Sequence, residues 1–144
     1  MGLNPSTSDG KFLDNTTKKI IKICNNNFYG KVRIINLFGL ISKYPNSLPS
    51  HKDPIGKFNN GVIKSNLNYW SKNPNCDLWL GWGNKGSLFR RNDDITSILL
   101  DYCSVKKTKF RGYKPPLCLK KTKLLNPIHP LYCSDNSDLV EYIN

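Results

Sequence analysis

The apolar positions along this chain change period several times. Over residues 12–27 they recur at helical spacing. Ile20, Ile21 and Cys24 form a stripe, and Lys18, Lys19 and Lys22 fall outside it. Asp14 or Asn15 can cap this first helix at its start, and the Asn25-Asn26-Asn27 run with Gly30 ends it. Residues 60–72 repeat the pattern, with Ile63, Leu67 and Trp70 at i, i+4 and i+7. Residues 92–105 predict a third helix with Ile95, Ile98, Leu99 and Tyr102 inward. Between the helices the pattern becomes that of strands. KVRIIN (31–36) is short and β-branched. DLWLGWG (77–83) is almost wholly apolar, as befits a strand buried on both faces. Residues 116–119 form a weaker strand, and residues 139–143 predict a last helical turn.

Strand and helix therefore alternate. That order predicts a single α/β domain over residues 1–144, a three-layer α/β/α sandwich with a mainly parallel sheet. Residues 1–3 would be a truncated first strand lying beside the second and third. Residues 37–57 predict a long loop, because Pro45, Pro49 and Pro54 forbid an extended helix. At roughly twenty residues it exceeds the usual connection of about 4–6.

The start of the chain carries the first candidate chemistry. Pro5 restricts Asn4 to an extended conformation, so Asn4 should end a strand and residues 6–9 should open into a loop. An ordinary Asn-Pro turn is the plainer reading. Three later segments resemble this one in position: IINLF (34–38), LGWGNKG (80–86) and NPIHPLY (126–132) all end strands or lie in loops. The strands of a parallel sheet end on one side, so these segments should converge on one crevice. It would hold the amides Asn4 and Asn36, the hydroxyls Ser6 and Thr7, the imidazole of His129 and the aromatics Phe38 and Trp82. Amides read a base edge, an aromatic ring stacks on its face, and an imidazole can donate to a carbonyl oxygen. The set suits a nucleobase. The competing readings are structural: Asn36 as a strand-end cap, Phe38, Trp82 and Leu131 as core, His129 as a satisfied structural histidine.

Charge adds to this picture. The net charge is +12 with a pI near 9.6, which favours a polyanionic partner, most simply nucleic acid, DNA above all, or a nucleotide. Lysine and asparagine have A/T-rich codons, so an A/T-rich coding sequence would supply part of the same excess. Arginine is scarce, and the Arg90-Arg91 pair following the WGNKG turn is a candidate phosphate contact. The run Lys106, Lys107, Lys109, Arg111 reads as a solvated connection, with a phosphate-contacting patch as the alternative. The five cysteines form no CxxC pair and only two histidines are present, so neither a metal site nor a cofactor is expected. With no apolar run of membrane-spanning length and no secretory leader, the expected setting is a cytoplasmic monomer.

These motifs carry a resemblance. GLNPS resembles the first motif of the uracil-DNA glycosylase superfamily, and His129-Pro130 resembles the start of its second, His-Pro-Ser-Pro. The whole string is more closely similar to a bacterial and phage family, the domain of unknown function numbered sixteen forty-three. LNPSTSD (3–9), Asp14 with Thr16, NLF (36–38), WG (82–83) and HPLY (129–132) match it in order. The superfamily resemblance implies roles. Asn4 would orient a water, Asn36 would pair with the base edge, Phe38 could stack on it, and His129 would stabilise the departing base of a hydrolysed N-glycosidic bond. The chain departs from that pattern in two places. Asn4 cannot accept a proton as a carboxylate would, and Leu131-Tyr132 follows where Ser-Pro is usual. A non-catalytic nucleic-acid or nucleotide-binding module, or a degenerate remnant, are the alternatives.

Overall fold

The computed structural model describes residues 1–5, 13–42 and 44–143. Three helices carry most of the regular structure: α1 (Asn15–Asn26), α2 (Asn59–Ser71) and α3 (Arg91–Lys109). Asp14 starts α1. Its Oδ1 accepts from the Thr17 amide at 2.9 Å and its Oδ2 from the Thr17 hydroxyl at 3.0 Å, which satisfies a donor the first turn leaves open.

The chain is mixed α/β. Three short strands form one mixed sheet: β1 (Trp79–Leu80), β2 (Leu117–Cys118) and β3 (Val140–Glu141). β1 and β2 run parallel, with Trp79 opposite Leu117 and Leu80 opposite Cys118. β2 and β3 run antiparallel. The free side of β1 is extended by the start of the chain. The Gly81 amide donates to Met1 O at 2.9 Å, and the Met1 amine donates to Trp79 O. On its other side the same segment meets residues 35–38. Gly2 N donates to Ile35 O (2.8 Å), Leu37 N to Gly2 O (3.0 Å) and Phe38 N to Leu3 O (2.9 Å), with Gly2 and Asn36 bridged in parallel. Residues 1–3 thus lie between residues 35–38 and β1, where the predicted stub belongs.

Two expectations need correction. Residues 31–35 form no strand, and Val32 and Ile34 stand 42% and 40% exposed. The backbone of residues 1–3 pairs with residues 35–38, and among the described residues no backbone hydrogen bond reaches 31–34. The predicted helical turn at residues 139–143 is instead β3. Its backbone meets the open edge of β2, and Tyr142 N donates to Pro116 O at 2.7 Å. A ladder on an unpaired edge satisfies more groups than one isolated helical turn.

The core gathers on this frame. Ile63, Leu67 and Trp70 of α2 and Ile95, Leu99 and Cys103 of α3 pack with Leu37, Phe38, Leu80 and Trp82. α2 and α3 lie against each other, and α1 lies against the short 3-10 turn Pro130–Tyr132. The long loop contains another such turn, Pro45–Ser50. Gly86 is needed where it stands: a Cβ there would fall 2.7 Å from Trp82 Nε1. Among the described residues, no helix is long and apolar enough to cross a membrane.

Candidate functional site

Asn4 follows the stub directly, at the carboxyl end of its run. Its Nδ2 donates to Ser42 O at 2.8 Å, Pro5 O at 3.0 Å and Leu40 O at 3.5 Å. The amide therefore ties the start of the chain to the far loop, and its orientation is set by backbone acceptors. Ser6 and Thr7 lie outside the described residues.

Asn36 sits in the neighbouring run. Its side chain lies over Gly2, where a Cβ would stand 2.6 Å from Asn36 Oδ1. Its carbonyl is held by Asn59 Nδ2 at 3.2 Å, and the same nitrogen reaches Leu37 O at 2.8 Å. The start of α2 is thus anchored to the end of residues 35–38.

The aromatics predicted as base contacts are core residues. Phe38 is fully buried and Trp82 is 1% exposed. Trp82 Nε1 donates to Asn126 Oδ1 at 3.4 Å, and its ring meets Tyr142 edge-on. Phe38 is covered by Phe89, with centroids 6.3 Å apart at 70°. The physical reason is the sheet itself: a parallel run covered by helices buries both faces, so alternate residues at its end remain inside. Leu131, read as core, is 46% exposed.

His129 precedes the Pro130–Tyr132 turn and caps it. Its Nδ1 accepts from Leu131 N at 3.4 Å. Its Cβ packs 3.3 Å from the place a Cβ on Gly83 would occupy, and Gly83 holds φ +68. Gly83 N also donates to Pro127 O at 2.8 Å. The end of the β1 run and the His129 loop are therefore in direct contact, and glycine lets them close.

Burial lowers the His129 pKa below its ordinary value, while the charge of Asp14 pulls it back up. Asp14 was a carboxylate that sequence alone could not locate. The α1 cap brings its field onto the imidazole. The pKa shift also predicts a pH dependence. A folded-state pKa below the unfolded 6.5 means that the unfolded chain takes up the proton first. The stability His129 contributes is present above pH 6.5 and is lost as pH falls through its folded value. Thermal melts between pH 5 and 8 should show this loss in the wild type and less of it in His129→Gln; equal acid sensitivity in both would contradict it.

The two arginines part company. The Arg90 side chain is 86% exposed and meets only Asp93, at 3.3 Å, among the described contacts. Arg91 is 2% exposed, which differs from the phosphate contact expected of it. Its Nε donates to Leu37 O at 3.0 Å and its Nη2 to Asn60 Oδ1 at 2.6 Å. It clamps the start of α3 to α2 and to the end of residues 35–38. Burial lowers its pKa, and Asp94 opposes that.

Asn126 was overlooked as a hub. It is 4% exposed and accepts from Trp82 Nε1 and, at 3.5 Å, from Asn92 Nδ2. Its place before Pro127 reads as turn chemistry, and nothing local marks it as buried. A cleft of about 400 Å³ opens elsewhere, at the amino ends of β1 and β2, between Tyr29, Asp77, Tyr113 and Glu141. It is lined by none of the residues predicted from sequence. Among the described residues no three His, Cys, Asp or Glu side chains come together as metal ligands would.

Residues 1–131 match the family described as "Protein of unknown function (DUF1643)", and the chain belongs to that family. No curated protein and no solved structure matches it.

Proposed function

We propose that this DUF1643 protein binds a nucleobase within DNA, or a nucleotide, at the carboxyl end of its parallel segments, and hydrolyses the N-glycosidic bond there. The observation that carries the reading is the hydrogen-bonded order of residues 35–38, residues 1–3 and the β1 run. It sets the ends of GLNP, NLF and WG side by side, and Gly83 adds the His129 loop to the same edge. With β2 next in line, the order is second, first, third, fourth along the chain. That order reverses between the first and third segments, the place where open α/β sheets take their ligands. Right-handed crossovers would then put α1 on one face and α2 and α3 on the other. That placement would make the α/β/α sandwich expected of a glycosylase-like fold.

The roles follow from the atoms. With Asn4 Nδ2 engaged by carbonyls, Oδ1 is the atom that would hold the attacking water. A neutral imidazole accepting at Nδ1 carries its proton on Nε2. That N–H can donate to the base oxygen on which charge develops as the C–N bond to the sugar breaks; the water held by Asn4 forms the new C–O bond, and the proton it sheds passes through solvent to the departing base. Asn36 is the remaining amide at this edge for the base itself. Phe38 and Trp82 serve by shaping the floor, since both are buried. Arg90 is the arginine left for phosphate. We assign the protein to the cytoplasm as a monomer.

The test is incubation with duplexes carrying uracil, mismatched thymine or other altered bases, scored for abasic sites, with binding measured across salt. Abasic product is expected from one of them. Affinity should fall with a log–log slope of about −0.9 per phosphate neutralised. Salt-dependent binding without abasic product would instead make the protein a binding module. Absence of binding at low salt would sink the reading and leave codon usage as the source of the lysines.

A further inference from the structure

The cleft at the amino ends of β1 and β2 takes its shape from the register of the sheet. Trp79 pairs with Leu117, and Leu117 with Glu141. Side chains alternate along a strand, so Asp77, Leu117 and Glu141 fall on one face. All three line the cleft, and so do Pro115 and Leu139. The middle of the hollow is therefore apolar, with carboxylates at its two sides. Asp77 stands ahead of β1; Glu141 belongs to β3, and Asp138 lies just before it. Because β2 runs between β1 and β3, the two sides are two strand spacings apart, about 10 Å from backbone to backbone.

Two tyrosines wall this hollow, Tyr29 and Tyr113. Tyr29 Oη donates to Asp77 Oδ2 at 2.6 Å, which holds ring and carboxylate together. Burial raises the Tyr113 pKa, and its hydrogen bond with Cys103 and the charge of Glu141 add to the rise, so its ring stays neutral. Lys114 Nζ also reaches Asp77 Oδ2, at 3.5 Å, while Asp77 Oδ1 has no partner among the described residues. Asp138 and Glu141 enter no ion pair among the described residues, in a chain of net charge +12. A volume of about 400 Å³ lies within the range of small-molecule sites, about 300–1,000 Å³.

We propose that this cleft binds an aliphatic diamine. One ammonium sits on Asp77 Oδ1, the methylenes cross Leu117 between the tyrosine rings, and the second ammonium meets Glu141 and Asp138. The carboxylates select a cation, and their separation across an apolar middle selects two charges over one. The ring faces add attraction for an ammonium. A metal ion fits less well, since no three ligating side chains come together among the described residues. The contact of Lys114 with Asp77 shows the kind of group this carboxylate takes. The Lys114 side chain is 67% exposed, and so exposed a pair yields easily to a ligand. The site stands on the opposite ends of the strands from the proposed base site and does not depend on it.

The probe is a straight-chain diamine of five methylenes, titrated calorimetrically into the whole protein at constant ionic strength. Pentylamine and ethylenediamine are the comparisons. One saturable site is expected for the long diamine, with the other two bound roughly tenfold more weakly, as the loss of one charge-assisted contact predicts. Asp77→Asn should weaken the long diamine about tenfold, and Glu141→Gln, at a more exposed position, about threefold. Lys114→Met removes the competing ammonium and should tighten binding about twofold to fivefold. Glu141 is exposed, so its variant should keep the wild-type melting temperature and report on the site alone. Absence of saturable binding to the wild type at millimolar diamine would overturn the inference. Equal affinity for pentylamine would do the same, and so would Asp77→Asn and Glu141→Gln proteins that bind as the wild type does. Binding of a lysine-rich peptide in place of the diamine, lost in Glu141→Gln, would also overturn it and make the cleft a dock for a basic chain. None of these outcomes bears on base release, which the abasic-site assay reads separately.

Discussion

Replacing Lys106 by alanine is expected to cost the protein several kcal/mol of stability. The residue lies in the last turns of α3 and is 1% exposed. Its Nζ donates to Asn73 O at 3.0 Å and to Cys76 O at 2.6 Å, and stands 4.6 Å from the centroid of the Trp70 ring. Those carbonyls lie just beyond the end of α2, so one ammonium ties the carboxyl end of α2 to α3. Burial draws its pKa below the ordinary 10.5, and Cys76 and Asp77 oppose that shift. Alanine would leave a cavity the size of the lysine stem and two carbonyls without their donor. Together these amount to about 3–5 kcal/mol. For a domain whose whole stability is about 5–15 kcal/mol, that is a large fraction. Lys106→Met keeps most of the volume and should lose only the donor contribution, about 1–3 kcal/mol. Urea unfolding of the three proteins would check the order. A loss below 1 kcal/mol in the alanine variant would mean that solvent replaces the ammonium easily.

Lys106 also shows where a sequence misleads. It sits in a basic run, and basic runs are usually solvated. Yet Ile95, Leu99, Cys103 and Lys106 share one helical face, and all four are buried. The period places the position inside, while the residue type points outside. Only the partners waiting at Asn73 and Cys76 resolve that conflict, and they are distant in sequence. Arg91 is the same case at the other end of α3. The helices themselves were legible because their stripes repeat over several turns; α2 was expected at residues 60–72 and runs Asn59–Ser71. The position of the stub was legible from strand alternation. The extent of each strand was not, because it depends on how much neighbour is present. Residues 31–34 have the composition of a strand and no backbone ladder partner among the described residues, whereas residues 140–141 find one at the edge of β2. At the candidate site, motifs located Asn4, Asn36 and His129 at the ends of their segments. They could not say which way the aromatics face, and Phe38 and Trp82 turn inward.

Removing the imidazole of His129 is expected to reduce base release by about 10²–10³, the usual effect of losing one preorganised donor to a developing anion. His129→Ala should do this with little loss of stability. The imidazole's one described hydrogen bond is the 3.4 Å contact from Leu131 N, and its ring meets Tyr132 edge-on at 6.0 Å. The packing of Gly83 against it ends at Cβ, which alanine keeps. Asn4→Ala should be equally damaging to the reaction but harder to interpret. Its Nδ2 holds Ser42 O and Pro5 O, so the variant should also lose about 1–2 kcal/mol of stability through the freed carbonyls. Asn4→Asp sharpens the contrast. A carboxylate cannot donate to those carbonyls and would be repelled by them, although it could accept a proton from water. It should therefore lower the melting temperature more than alanine does. Rates of abasic-site formation and thermal melts, taken on the same preparations, separate the two residues. A His129→Ala protein that keeps both its melting temperature and its full rate would remove the imidazole from the chemistry, and the glycosylase reading would lose its donor to the departing base.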